Sequence, residues 1–330
     1  MSVSDDGEDI VSVEDLSVTY RSVYGPIKAL GGINLKVKRG ESVSIVGESG
    51  SGKSTLGLAT VHLLPQNASY TGGRLMLDGK DVATMHGREL MAMRGNTAFM
   101  IFQDPLNTLN PVSRIDAQML EAVRSRAKHD NTSFNQEEAL KEAVQKLEDV
   151  RMPDPASIIR RYPHQLSGGQ IQRVVIAMGL LMRPKLMIAD EPTSALDVTV
   201  QAQVLKLLRE LQREYNMSII FITHDINVAY GISDRIVVMY AGEVVESGPS
   251  DKMTKNAQHP YAQALIKSVP TTTKKQGRLT AISGSPPNML NPPSGCRFHP
   301  RCPYVMNVCT TTSPKETIKD GDAVRCWLYG

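Results

Sequence analysis

Gly47-Glu48-Ser49-Gly50-Ser51-Gly52-Lys53-Ser54-Thr55 has the residue types and spacing of a complete phosphate-binding loop. It follows Ser42-Val43-Ser44-Ile45-Val46, a β-branched run that reads as a buried strand, and runs into Ser54-Thr55-Leu56-Gly57-Leu58-Ala59-Thr60-Val61, which reads as the first turns of a helix. This arrangement cradles a nucleoside triphosphate. Gly47, Gly50 and Gly52 let the backbone turn tightly, so that N–H groups around Ser49, Ser51 and Thr55 face the phosphates. The helix N-terminus adds partial positive charge. Lys53 is expected to reach the β- and γ-phosphates, and the Ser54 hydroxyl to ligate Mg²⁺.

Lys185-Leu186-Met187-Ile188-Ala189-Asp190-Glu191 reads as a second buried strand that ends in two acids. Strand ends form the usual ligand edge of a parallel α/β sheet. Asp190 is expected to hold Mg²⁺, largely through water, because that ion keeps much of its hydration shell. Glu191 is then free to act as general base on the attacking water. Taken alone, an acidic pair after a strand is also an ordinary loop cap; the phosphate loop upstream gives it weight.

More than a hundred residues beyond the phosphate loop, Leu166-Ser167-Gly168-Gly169-Gln170 makes a second glycine-rich turn, opening an apolar helical stretch from Gly168 to Met182. A Ser-Gly-Gly turn by itself is a common helix cap. Its order and context are what count. The series resembles an ABC transporter nucleotide-binding subunit, and the resemblance runs across roughly residues 11–250. It implies that Ser167, Gly168, Gly169 and Gln170 bind, in trans, the ATP held by a partner's phosphate loop. Gln103, at the end of the run Phe99-Met100-Ile101-Phe102, matches the glutamine that touches the Mg²⁺ or the lytic water and senses the membrane partner. Ser194-Ala195-Leu196-Asp197 matches the loop that passes between subunits, and His224 the histidine that contacts the γ-phosphate. A lone strand-end histidine is more often structural, so this role rests on the ordered set. The adenine is expected to stack on Tyr20, with Tyr24 as the competing aromatic. With all these elements intact, the resemblance implies ATP hydrolysis rather than nucleotide binding alone.

The fold implied is α/β: a P-loop NTPase with a RecA-like core, an antiparallel β-subdomain, a helical subdomain and a small loop-rich C-terminal extension. Residues 11–46 and 72–82 read as strands joined by tight turns at Arg39-Gly40 and Asp78-Gly79. Residues from about 105 to 165 are polar and helical in pattern, with Ala139, Ala143, Val144, Leu147 and Val150 at helix spacing. By resemblance this is the helical subdomain, which receives a permease's coupling helix. Val198 to Glu214 reads as an amphipathic helix carrying Val200, Val204, Leu207, Leu208 and Leu211 on one side. The expected domains are 1–250 for the cassette and 251–330 for the extension.

With 330 residues, the chain has room for one large α/β domain and an appendage. Lys and Arg number 37 against 34 Asp and Glu, and the net charge of +3 offers no argument for a nucleic-acid partner. The longest wholly apolar run, Val174 to Met182, is far short of the ~20 residues a membrane span needs. The N-terminus is acidic and shows no signal-peptide pattern. The expectation is a chain peripheral to the cytoplasmic face of a membrane, docked on other subunits.

Past Gly248-Pro249, Gln258 to Leu265 opens a short helix, and Pro286-Pro287-Asn288-Met289-Leu290-Asn291-Pro292-Pro293 makes a stiff linker. His259-Pro260-Tyr261 and the proline-rich stretch resemble the C-terminal extension of oligopeptide/dipeptide-type ABC importers. All four cysteines, Cys296, Cys302, Cys309 and Cys326, lie in this extension. A reducing cytosol argues against disulfides, and the spacings are longer than the close pairs of most zinc sites. Zinc, an iron–sulfur cluster and free thiols all remain open on the residues themselves. Resemblance to importer subunits with such a tail implies a structural [4Fe–4S] cluster on the four thiols.

The partners implied are a second ABC ATPase subunit, a paralogue ahead of a second copy, two transmembrane permeases, and an extracellular solute-binding protein in the same system. Peptides head the expected solutes, with oligosaccharides and other small solutes open. The rival readings are a soluble ABC ATPase of DNA repair or translation and an exporter. Neither a second nucleotide domain, nor a basic surface, nor a fused transmembrane domain is evident in the sequence.

Overall fold

A computed structural model describes residues 9–104, 108–193, 197–268 and 282–330. The chain divides into two compact units: residues Thr84–Ile220 form one, and the segments before and after them form the other.

The discontinuous unit opens with two long strands, β1 (Asp9–Ser22) and β2 (Gly25–Lys38), followed by β3 (Ser42–Val46), helix α1 (Lys53–Thr60), β4 (Ala68–Leu77) and β5 (Lys80–Asp81). Strands β2, β1, β4 and β5 form, in that order, an antiparallel sheet. The β4–β5 connection is Asp78-Gly79, with φ of 50° and 77°. Two consecutive positive φ values define the tight hairpin turn that matches strand twist, which is why the Asp-Gly pair could be read from sequence. β3 is buried at every position, as its β-branched run requires.

Within the second unit lie α2 (Gly87–Ala92), β6 (Ala98–Ile101), α3 (Ile115–His129), α4 (Gln136–Asp149), α5 (Pro155–Ile158), α6 (Gly168–Leu181), β7 (Leu186–Asp190) and α7 (Val198–Glu214). β6 and β7 pair in parallel. The expected helical stretch is thus α3 to α5, and Ala139, Ala143 and Leu147 form the buried stripe of α4. Asn135 caps α4 and Asp197 caps α7 by accepting N–H bonds from the first turn. Arg126 reaches from α3 to fork Glu142 of α4 at 2.9 and 2.7 Å, and Arg183 joins the same carboxylate. These arginines hold the Glu142 carboxyl below the usual range even though its partial burial acts the other way.

The division between the units falls inside β8 (Ser218–Thr223). The chain then returns to the first unit through α8 (Ile226–Ile232), β9 (Arg235–Tyr240), β10 (Glu243–Pro249), α9 (Ser250–Asn256), α10 (Pro260–Lys267), α11 (Asn307–Thr311), β11 (Thr317–Lys319) and β12 (Asp322–Val324). β9 runs parallel to β3 and antiparallel to β10, while β12 pairs with β10 and β11 with β12. The tail therefore extends a sheet that contains the strand before the phosphate loop. Residues 251–330 belong to the same compact unit as that loop. A shared core joins them: Tyr240, Met253, Tyr261, Leu265 and Phe298 are buried together, with Met289, Cys296 and Cys302 packed on its edge. Among the described residues no helix is long and apolar enough to cross a membrane.

Candidate nucleotide site

Strand β3 delivers the chain into the phosphate loop and α1 carries it away. Gly47 has no room for a side chain, since a Cβ there would overlap the Met239 carbonyl. Gly52, at φ 99°, would meet the Ala29 carbonyl at 2.8 Å. Both glycines are required by close backbone approach as well as by conformation. Lys53 is only 5% exposed. Its ammonium lies inside the arc of the loop, donating to the carbonyls of Gly47 at 2.8 Å and Glu48 at 2.9 Å. Ser54 is exposed, whereas Thr55 is half-buried. The N-cap residue of α1 is Gly52, which has no side chain to cap the helix.

The Tyr20 hydroxyl lies 3.3 Å from Thr55 Oγ1, which sets its ring beside the loop's helix. Tyr24, at the β1–β2 hairpin tip, is 86% exposed. His224 follows the end of β8 and is exposed. Just beyond it, Asp225 caps α8 by accepting from Asn227 N at 2.8 Å.

The second unit carries the acids and the second loop. Asp190 ends β7 and is 6% exposed. Glu191 adopts φ 44°, a left-handed conformation rare for a residue with a Cβ, and turns the chain sharply off the strand. Its carboxylate accepts from the Gln103 amide, Nε2 to Oε2 at 3.1 Å. The expected base and the expected sensor are therefore hydrogen-bonded to each other. Ser167 is exposed and forms a reciprocal cap with Gln170: the Gln170 side chain accepts from Ser167 N at 3.0 Å, and the Ser167 hydroxyl from Gln170 N at 3.4 Å. Gly168 and Gly169 are the first residues of α6. The turn is fully organised by local bonds. Of the expected inter-subunit loop, Ser194, Ala195 and Leu196 lie outside the described residues, and Asp197 serves as the α7 cap.

A family profile for ABC transporters matches residues 30–194. The chain belongs to the ABC transporter family. A second profile, the C-terminal region of oligopeptide/dipeptide transporters, matches residues 245–309. The oligopeptide transport ATP-binding protein OppD of Salmonella typhimurium is 42% identical over 318 residues, covering 96% of this chain and 93% of the relative. The dipeptide transport ATP-binding protein DppD of Bacillus subtilis is 42% identical over 323 residues, covering 97% and 95%. Among solved structures, the ATP-binding cassette MJ0796, in a dimeric post-hydrolysis state bound to ADP and Pi, matches with TM-score 0.64 at 31% identity. That match covers 73% of this chain and 98% of the cassette. The ABC cassette fold and the oligopeptide/dipeptide-importer type expected from the motifs hold. This ABC subunit is an ATPase whose hydrolysis of ATP to ADP and phosphate energises import.

The iron–sulfur expectation finds no such support. Cys296, Cys302, Cys309 and Cys326 are free thiols. Among the described residues no group of three or more His, Cys, Asp or Glu stands at metal-holding geometry. Cys296 N donates to the Cys309 carbonyl at 2.9 Å. Burial pushes the Cys296 thiol up to about 11, and the neighbouring Cys309, Cys326 and Cys302 add to it.

Sequence reading missed what surrounds the loop. Glu246, fully buried, accepts from Gln258 N at 2.7 Å and His259 N at 2.8 Å. Burial pushes its carboxyl up to about 7, with Asp322 adding and Lys252 opposing. Buried His259 is held neutral, pushed down to about 3, and its Nδ1 caps α10 by accepting from Tyr261 N. The His-Pro-Tyr motif, recognised only by resemblance, is thus a helix start that aims Tyr261. That residue's hydroxyl accepts from Glu48 N of the phosphate loop at 2.8 Å.

Proposed function

We propose that this ATPase powers uptake of oligopeptides or dipeptides by closing head-to-tail with a second cassette, each phosphate loop facing the other's Ser167 turn. The observation that carries the reading is that Ser167 is exposed at a turn completed by its own capping bonds, with Gly168, Gly169 and Gln170 half-buried. A turn built this way offers Ser167 and the Gly169 N–H to an anion brought by another protomer. A paralogous subunit is the expected partner, with two permeases at the cytoplasmic membrane face and an extracellular binding protein delivering solute.

In this reading Lys53 and the loop N–H groups hold the phosphates, and Tyr20 stacks on adenine. Proximity of its hydroxyl to Thr55 favours it over Tyr24, which is 86% exposed at a hairpin tip. Glu191 takes the proton of the attacking water, held in register by Gln103, while His224 contacts the γ-phosphate. Ser54 and Asp190 supply hard oxygen donors suited to Mg²⁺, whose remaining positions water and phosphate oxygens would fill. Bound Mg²⁺ would neutralise charge on the β- and γ-oxygens. Residues 1–250 act as the cassette and 251–330 as its extension. We further propose the four thiols as ligands of a structural [4Fe–4S] cluster. What supports this is that four free cysteines lie in one loop-rich segment, with Cys302, Cys309 and Cys326 all near enough to help raise the Cys296 thiol.

The test is ATP-dependent uptake of labelled di- to pentapeptides into proteoliposomes holding the chain with its co-purified partners. Uptake should require Lys53 and Glu191. Transport of sugars but not peptides would overturn the solute, and full hydrolysis by a solitary protomer would overturn the two-cassette reading. Iron and sulfide content of anaerobically purified protein decides the cluster.

A further inference from the structure

The phosphate loop works through backbone N–H groups, and nothing in that chemistry asks for an acid at Glu48. The acid is nevertheless held tightly. Its carboxylate is forked by Arg301, with Nη1 to Oε2 at 2.7 Å and Nη2 to Oε1 at 3.0 Å. The Arg301 side chain is 5% exposed and also donates to the Tyr240 hydroxyl at 3.2 Å and the Ser283 carbonyl at 2.9 Å. The fork holds its guanidinium charge above the ordinary arginine range. On the other side the Glu48 N–H is taken by Tyr261. Behind them Tyr240, Tyr261 and Phe298 pack ring against ring, with centroids 4.6 to 5.4 Å apart. Two residues from beyond position 250 therefore grip the loop at the residue whose carbonyl also orients the Lys53 ammonium.

We propose that Arg301 and Tyr261 are positioning residues of the ATP site, making the C-terminal extension part of the nucleotide-binding machinery. Two bonds from outside the loop fix Glu48 and, through its carbonyl, the position of Lys53. The charge logic gives the fork a second task. An unpaired carboxylate beside an anion-binding loop repels the triphosphate and competes for the Lys53 ammonium; paired with Arg301, it does neither. Arg301 immediately precedes Cys302, so the grip is carried by the cysteine-bearing segment itself.

The two tasks predict a signature that a merely structural role would not produce. In the full-length chain assembled with its partners, Arg301→Met should raise KM for Mg-ATP on the order of tenfold. Its kcat should stay within about twofold, because the interaction is lost equally from ground and transition states. Glu48→Gln should raise KM less, since it loosens the loop without leaving an unpaired negative charge beside the phosphates. The double variant should resemble Glu48→Gln rather than the sum of the two, the missing carboxylate suppressing the Arg301 defect. Arg301→Lys, which keeps the charge and loses the fork, should fall between wild type and Arg301→Met. An unchanged KM in Arg301→Met, a loss confined to kcat, or strict additivity in the double variant overturns the proposal. If Arg301→Met fails to assemble, Arg301→Lys and Glu48→Gln carry the test: raised KM in both supports it, and unchanged KM in both overturns it. The inference rests on ATP binding at the loop, which Lys53→Ala tests separately. If Lys53→Ala binds nucleotide like wild type, that reading fails; if only Arg301→Met does, the positioning role fails.

Discussion

The two glycine-rich loops of this chain each open a helix, yet they are held in opposite ways. The phosphate loop is fastened from outside itself: Tyr261 and Arg301 hold Glu48, Met239 crowds Gly47, and Ala29 crowds Gly52. Its helix begins without a side-chain cap. The Ser167 turn is fastened from within, by a reciprocal cap between Ser167 and Gln170, with Ser167 exposed. On the proposed two-cassette reading, the difference teaches how a shared site divides labour. A loop that must bind tightly in its own chain needs a rigid bed, because pre-organisation lowers the cost of ordering it around the ligand. On that same reading, a turn that meets its ligand only when another protomer arrives needs local order and an open face.

The comparison breaks most visibly where chemistry fails outright. Lys53→Ala and Glu191→Gln should each lower phosphate release by the assembled transporter on the order of 10³-fold, through lost charge stabilisation and lost general base respectively. Only Lys53→Ala should also abolish nucleotide binding by the lone chain. Equal binding losses in both would remove the distinction between holding and hydrolysing residues.

Next in size is the bed beneath the phosphate loop. Phe298, 2% exposed between Tyr240, Tyr261 and His259, should cost about 3–5 kcal/mol when cut to alanine. Chemical denaturation of the full chain measures this. A loss near zero would show that the extension does not support the loop.

Ser167→Ala sharpens the contrast from the other side. It should lower hydrolysis by the assembled transporter on the order of 10²-fold by removing a donor to the phosphate in trans. Mg-ATP binding by the lone chain should stay at the wild-type value. If binding by the lone chain weakens as well, the turn serves its own protomer.

The smallest effect concerns pH. A buried histidine with lowered pKa stabilises the fold above its unfolded value of 6.5, and this is lost as pH falls toward about 3. A buried carboxyl with raised pKa stabilises below its unfolded value of 4.5, and this is lost as pH rises through about 7. Between those unfolded values His259 and Glu246 act with opposite slopes and should cancel. Glu246→Gln removes the falling limb, so stability should then climb with pH by roughly 1.4 kcal/mol per unit from about 4.5 to 6.5. Thermal unfolding across that window checks it, and a flat profile in Glu246→Gln contradicts the assignment.

Much of the site was legible in the residues because its logic is local. A β-branched strand, glycines at fixed steps and a lysine at the helix start specify a loop within a dozen positions. The same holds for α7, whose expected span Val198–Glu214 is the observed one, with an Asp197 cap and a stripe of leucines. The cysteines were harder. Their spacings are local facts, but metal-holding geometry depends on how four separate turns converge, and among the described residues no group of three or more stands at that geometry. The boundary expected near residue 250 reflects where motifs change, whereas the compact units divide the chain at Thr84 and Ile220.

By itself the sequence determined the two loops, the acids that follow a strand, and the order that identifies an ABC cassette. All of these depend on backbone conformations that nearby residue types dictate. Only the tertiary structure decided that Glu48 belongs to Arg301, that His259 caps a helix, and that Tyr261 reaches the phosphate loop. Partners 253 residues apart are chosen by burial and by the need to satisfy every hidden charge and hydrogen bond, and no local pattern encodes that choice.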